Sequence, residues 1–134
     1  MVELAGALVV LVPLLLVAVD FGRLYFTNVE VVNAARAGAQ YGSQSVITAA
    51  DTNGIKAAAV QDASDLSGMS ATATQCTCAT TTVVAACPTS YCTNSPGATF
   101  VEVDTSTTFN TVVSYPGIPS SVTLAGKAVM MVEE

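Results

Sequence analysis

The 134-residue sequence contains no histidine, no tryptophan and only four lysines and arginines, against ten aspartates and glutamates. Without histidine, the commonest general base and metal ligand is missing, which excludes His-dependent hydrolases and His-containing zinc sites. A net charge of −6 lacks the basic footprint of a free-standing nucleic-acid binder, so no nucleic acid is expected as a partner. Charged residues make up 10% of the chain and hydrophobic ones 51%, the reverse of a disordered composition. Phosphate-cradling glycine loops, C-x-x-C redox pairs and haem-attachment motifs are also missing. Asn94-Ser95-Pro96 lacks the hydroxyl a glycosylation acceptor needs.

What is abundant is concentrated at the start. From Leu4 to Val19 no residue is charged or amide-bearing, and Glu3 and Asp20 bound the run. Sixteen residues at about 1.5 Å each give roughly 24 Å of helix, a little short of the ~30 Å hydrocarbon core of a bilayer. Including Met1 and Val2, and reaching to Phe21 and Gly22 past the single Asp20, brings it to spanning length. A cleaved secretory signal is disfavoured: the run is long for such a core, no basic segment precedes it and no clear small-x-small cleavage site follows. That leaves a membrane anchor carrying a domain, or an anchor that leaves the bilayer to become the core of a polymer.

The helical pattern continues past Asp20. Apolar residues recur at three- and four-residue steps (Phe21, Leu24, Tyr25, Val29, Val32, Ala35, Ala39), the spacing of an amphipathic helix. One helix over about 2–44 would be roughly 60 Å long. Asp20 and Arg23, one turn apart, can pair along its surface. Ala34, Gly38 and Gly42 stand four apart, a spacing that lets helix backbones approach closely; the parallel row of Ala35 and Ala39 equally suits a helix lying on its own sheet. Pro13 removes one backbone bond and is expected to kink or loosen the helix locally.

Farther on, Asp51 is a candidate N-cap, with Asn53-Gly54 as an alternative turn. A short second helix is expected over about 52–67, clearest in Ile55–Leu66, with Gly68 as its stop. From Met69 the composition turns to Thr, Ser and Val. Met69–Thr77, Thr81–Ala86, Thr99–Thr108, Thr111–Tyr115 and Val122–Val132 read as strands of a small antiparallel sheet over about 69–132, with turns at 94–97 and 115–119. Alternation is clearest where Phe100, Glu102, Asp104 and Ser106 oppose Val101, Val103 and Thr105. The expected fold class is therefore α+β: a helix in residues 1–44 and a globular head in 45–134.

Cys76, Cys78, Cys87 and Cys92 fall within seventeen residues. An even count in a strand-rich domain reads as two disulfides in an oxidising compartment; C-x-C does not suit a structural zinc site, and no metal is expected. Cys76 and Cys78, about 6–7 Å apart on one strand face, are poorly placed to bridge each other. A nested set (76–92, 78–87) and a crossed set (76–87, 78–92) both remain.

The acids Asp51, Asp62, Asp65, Glu102 and Asp104 are scattered and read as a solvated face rather than as acid–base machinery. Phe21, Tyr25, Phe26 and Tyr41 read as core packing rather than an electron path. No catalytic residue and no cofactor are expected.

Val2-Glu3-Leu4-Ala5, Pro13-Leu14-Leu15-Leu16, Asp20-Phe21-Gly22-Arg23 and the stretch from Ala34 to Gly42 together resemble the TadE-like family of tight-adherence pilus proteins, within the wider type IV pilin group. The resemblance covers about residues 2–43, and more weakly the last strand, Val122–Glu133. It implies a pilin-like fold and a structural, non-enzymatic subunit of an extracellular filament. Such a subunit is processed by a prepilin peptidase, anchored first in the inner membrane, and extracted into the filament by an ATPase-driven machine. A minor tip pilin or a membrane-anchored assembly factor is the alternative. The family's glutamate is thought to neutralise a neighbouring subunit's terminal amine. The V-E-L-A motif puts Glu3 in that role, although it stands two residues nearer the start than pilins usually have it, so the cleavage point stays open. Assembly is expected to use Glu3, Pro13, Asp20, Arg23, Ala34, Gly38 and Gly42, with the filament on the cell surface and adhesion as a secondary role of the hydroxyl-rich sheet.

Overall fold

The computed structural model describes residues 2–78, 89–92, 97–113, 117 and 119–133. Helix α1 (Val2–Ser43) runs 42 residues, about 63 Å at helical rise. Its helical assignment is unbroken at Pro13, although proline brings no N–H for the Val9 carbonyl one turn back. Two shorter helices follow, α2 (Val46–Ala50) and α3 (Thr52–Asp62). Ser45 caps α2 through a reciprocal box with Thr48, and Asp51 caps α3 by accepting from the Gly54 N–H at 2.9 Å. Asn53-Gly54 is therefore helical rather than a turn.

Three strands form one antiparallel meander in the order β1 (Ser70–Thr77), β2 (Thr99–Asn110), β3 (Ser121–Met131). A one-turn helix, α4 (Thr89–Cys92), lies between β1 and β2 in sequence. Strand β2 is central and alternates as its sequence promises: Val101, Val103, Thr105, Thr107 and Phe109 are buried, and the residues between them are not. The buried face carries the second half of α1, with α3 alongside. The core is Ala35, Ala39, Ala49, Ile55, Ala59, Val101, Val103, Ala128 and Val132. The chain end closes this layer, because the Glu133 N–H donates to the carbonyl of Ser43 at the end of α1 (2.9 Å). The architecture is the expected pilin-like α+β shape: a long apolar helix, short helices and a small antiparallel sheet.

Several sequence-based boundaries shift. The second helix ends at Asp62, not near residue 67; the following Ala-Ser-Asp-Leu-Ser segment, whose Ser and Asp compete for backbone partners, turns instead, with Leu66 N–H donating to Ala63. Helix α2 was hidden by the loosened pattern after residue 43. Thr111–Val113 is not strand, because the Val112 N–H turns to a side chain on α1. The strand expected at 81–86 and most of both expected turns lie outside the described residues; Gly97 and Gly117, one from each turn, have φ of +86°.

Candidate functional site

The first candidate site is the apolar run itself. Eleven large apolar side chains between Leu4 and Val19 are 39–75% exposed, and the most apolar stretch of α1 is long and apolar enough to cross a membrane while 6% buried within the chain. Full burial of such a side chain contributes about 1.5–3 kcal/mol. With roughly half of each still to be covered, on the order of 10 kcal/mol remains to be gained, comparable with the whole stability of a small domain. Lipid or other helices must supply that cover. Glu3 is exposed at the start of the run.

At the end of the run the helix meets the head. Asp20 is only 6% exposed. Arg23 Nη1 stands 3.3 Å from its Oδ1, and the Val112 N–H donates to both carboxylate oxygens at 3.2 Å. The Arg23 guanidinium also lies 5.4 Å from the centre of the Phe109 ring, a favourable cation–π placement. One carboxylate thus ties the first turn beyond the apolar run to the far end of β2. The helical pairing of Asp20 with Arg23 was legible in sequence; the backbone donor, 92 residues away, was not.

The small-residue row is occupied inside the chain. Ala34, Ala35 and Ala39 are fully buried. A Cβ on Gly38 would stand 3.0 Å from the Ile55 carbonyl oxygen and 3.2 Å from Val103, and one on Gly42 would stand 2.9 Å from both Ile55 and Val101. Gly38 and Gly42 therefore let α1 close on its own α3 and β2, and Ala34 is buried in the same row. These three positions are buried within the chain, where the assembly expectation had them packing against a neighbouring subunit. Phe21, Tyr25 and Phe26, expected as core, are instead 69%, 67% and 62% exposed, because the buried stripe passes through Val31, Ala34, Ala35 and Ala39 on another side of the helix. Tyr41 does pack on the core.

Charged groups interact at two further places. On the outer face of the sheet, Lys127 Nζ sits 2.7 Å from Glu102 and 3.6 Å from Asp104; the hydrogen bond to Glu102 holds the Lys127 pKa above its ordinary value, with Asp104 reinforcing it. The expected acidic strand face is thus partly neutralised across the β2–β3 register. On α1, one Glu30 oxygen is buried without a hydrogen-bond partner among the described residues. Burial first, then the Asp65 carboxyl, raise the Glu30 pKa. Neither Glu30 nor Lys127 was singled out in the sequence, since each matters only through a neighbour distant along the chain.

A raised folded-state pKa means the native state holds the Glu30 proton more tightly than the unfolded chain. The resulting destabilisation is absent below the ordinary glutamate range and grows as pH rises through it and above. Glu30→Gln is therefore expected to raise the melting temperature at pH 7 and leave it nearly unchanged at about pH 4. An equal shift at both pH values in detergent-solubilised protein would remove the electrostatic explanation.

Cys78 and Cys92 form a disulfide with Cα atoms 5.3 Å apart. That bond excludes the nested set. Cys76 is also disulfide-bonded; Cys87 lies outside the described residues. Because Cys78–Cys92 spans 14 positions, Cys78→Ser is expected to cost about 3 kcal/mol on loop-entropy grounds; chemical denaturation of oxidised wild type and variant measures the difference.

These observations converge on residues 2–43 as the feature that sets the chain apart. The family model for TadE-like protein matches residues 1–40. The match covers the apolar run, Asp20, Arg23 and most of the small-residue row, and stops before the end of α1. The weaker resemblance of the last strand lies outside it. No curated protein and no solved structure matches the chain. From Val2 on, the matched segment lies within α1, and the disulfide-bearing part of the head lies outside the match.

Proposed function

We propose that the chain is a structural, non-enzymatic pilin of an extracellular Tad-like pilus, held by α1 in the inner membrane before assembly and polymerised through the same helix afterwards. The observation that carries this reading is the run Leu4–Val19, exposed along its length and lying wholly within the TadE-like match. Outside a bilayer that run must be covered by copies of itself, and heterologous, non-closing contacts generate helical filaments. Residues 1–44 then serve as anchor and filament core, and residues 45–134 as the outer head.

In this reading Glu3 pairs with a neighbouring subunit's terminal ammonium, since a carboxylate in an apolar bundle is costly unless paired. Pro13 gives the bundle a point where one backbone bond is already missing. Asp20 and Arg23 fix the head's position on the helix rather than contacting another subunit. A prepilin peptidase and an assembly ATPase machine are the biogenesis partners, and no cofactor is required. Adhesion through the hydroxyl-rich outer face of the sheet, where Ser70 and Ser106 hydroxyls meet at 2.9 Å, is a compatible secondary role.

Negative-stain electron microscopy of filaments sheared from cells, with mass spectrometry of the same fraction, tests the proposal. Thin filaments dominated by this chain are expected. A trace amount in filaments built of another chain would make it a minor tip pilin, and confinement to the membrane fraction would make it an anchored assembly factor.

A further inference from the structure

We propose that the lower end of the head, formed by Val112, Pro119 and Val122 beside Phe21 and Tyr25, docks into the headgroup layer of a phospholipid bilayer and completes a membrane span that the uncharged run Leu4–Val19 by itself leaves short. The inference rests on α1 being a membrane anchor before assembly and adds a second contact to it.

The stretch between Glu3 and Asp20 holds sixteen residues, roughly 24 Å of helix for a hydrocarbon core of ~30 Å. The missing ~6 Å corresponds to the next turn, residues 20–23, at about 1.5 Å per residue. An exposed aspartate in that turn would resist entry. Asp20 is instead buried, held by Arg23 and by the Val112 N–H on both oxygens. Its carboxylate accepts these hydrogen bonds from the chain itself.

The same bonds bring the head down to this level. Val17, Phe21 and Leu24 of α1 share an apolar groove with Phe109, Pro119 and Val122 at the end of the sheet. The head therefore begins alongside residue 17, before the apolar run is over. Large apolar side chains face outward there beside the exposed Asn110, Ser120 and Ser121: Val112 is 67% exposed, and Phe21 and Tyr25 of α1, one helical turn apart, are 69% and 67% exposed. Tyrosine, with an apolar ring and a polar tip, favours the membrane–water boundary. Arg23, half exposed, can reach toward phosphates while its stem stays in the apolar layer. The surface is continuous with the exposed run below it and lies where a bilayer spanned by that run would end, which selects lipid as the occupant.

The absence of tryptophan makes the test direct. Single-tryptophan variants Val112→Trp, Val122→Trp, Leu11→Trp and Ile47→Trp of the full chain are reconstituted in phosphatidylcholine–phosphatidylglycerol vesicles. Quenching is read with nitroxide lipids labelled either near the headgroup or near the acyl end. Ile47, 84% exposed beyond the far end of α1, is the solvent reference, and thermal melts confirm that each variant folds.

Leu11→Trp should be quenched best by the deep label. Val112→Trp and Val122→Trp should be quenched by the shallow label severalfold more than Ile47→Trp. Val112→Trp and Val122→Trp quenched no more than Ile47→Trp, while Leu11→Trp responds to the deep label, would overturn the docking and leave the anchor intact. An unquenched Leu11→Trp would overturn the anchor reading and the docking with it. Blue-shifted emission of Val112→Trp that escapes both labels and grows with protein density would assign the surface to a second copy of this chain and overturn lipid docking.

Discussion

Replacing Glu3 with alanine is expected to leave the chain inserted in the membrane but to abolish most filament formation. The two outcomes separate because they draw on different interactions. Insertion depends on the apolar run, which the substitution lengthens. Assembly, in the proposed filament, places each terminal ammonium in an apolar bundle where Glu3 of a neighbour neutralises it. Removing one partner of such a pair leaves the other charge buried and unpaired, at a cost of about 3–5 kcal/mol. At about 1.4 kcal/mol per factor of ten, subunit affinity falls on the order of a hundredfold or more at every contact. Membrane fractionation and counts of sheared filaments measure the two effects side by side. Wild-type filament yield from Glu3→Ala would sink the pairing, and loss from the membrane fraction would show that Glu3 acts earlier.

The second large effect is expected at Gly126 on β3. A Cβ there would stand 2.6 Å from the Val31 carbonyl oxygen and 2.8 Å from Thr105 Oγ1. The closest of these atoms is helix backbone, which cannot turn aside as a long side chain can. The same spot holds a buried tie between sheet and helix, since the Thr105 hydroxyl donates to the Val31 carbonyl at 2.7 Å. Gly126→Ala must push β3 away from α1 and stretch that bond. Overpacking costs about 1–3 kcal/mol and a weakened hydrogen bond about 1 kcal/mol more. At roughly 4–8 °C per kcal/mol for a small domain, the melting temperature should fall by about 10 °C or more in detergent, followed by circular dichroism. Gly22→Ala is the contrast, because nothing among the described residues stands within 4 Å of its added Cβ; helix propensity makes it neutral or stabilising by up to about 1 kcal/mol. Equal melting temperatures for the two variants would refute the close approach of β3 to α1.

The two glycines show how differently positions were legible before the fold was known. Nothing in the local sequence marks Gly126 apart from Gly22. One lies where a strand crosses a helix carbonyl and the other faces open space, and only the packed structure distinguishes them. The row Ala34, Gly38 and Gly42 was legible as a close-approach surface, because small residues four apart on a helix admit a neighbour whatever that neighbour is. Which neighbour it admits was not legible, and the chain's own α3 and β2 occupy it.

By itself the sequence determined the features that depend on neighbours a few residues away. These are the length of α1, its apolar first half bounded by Glu3 and Asp20, and the alternation that sets Val101, Val103 and Thr105 on one face of β2. Helical and strand periods are written in local spacing, and an uninterrupted apolar run needs no partner to be recognised. The tertiary structure alone decided what joins residues far apart: the Val112 amide on Asp20, the Asp65 carboxyl beside Glu30, Lys127 between Glu102 and Asp104, and Cys78 bonded to Cys92 rather than Cys87. Each of these is set by strand register or by the seating of the sheet on α1, and register is a property of two segments together that neither carries alone.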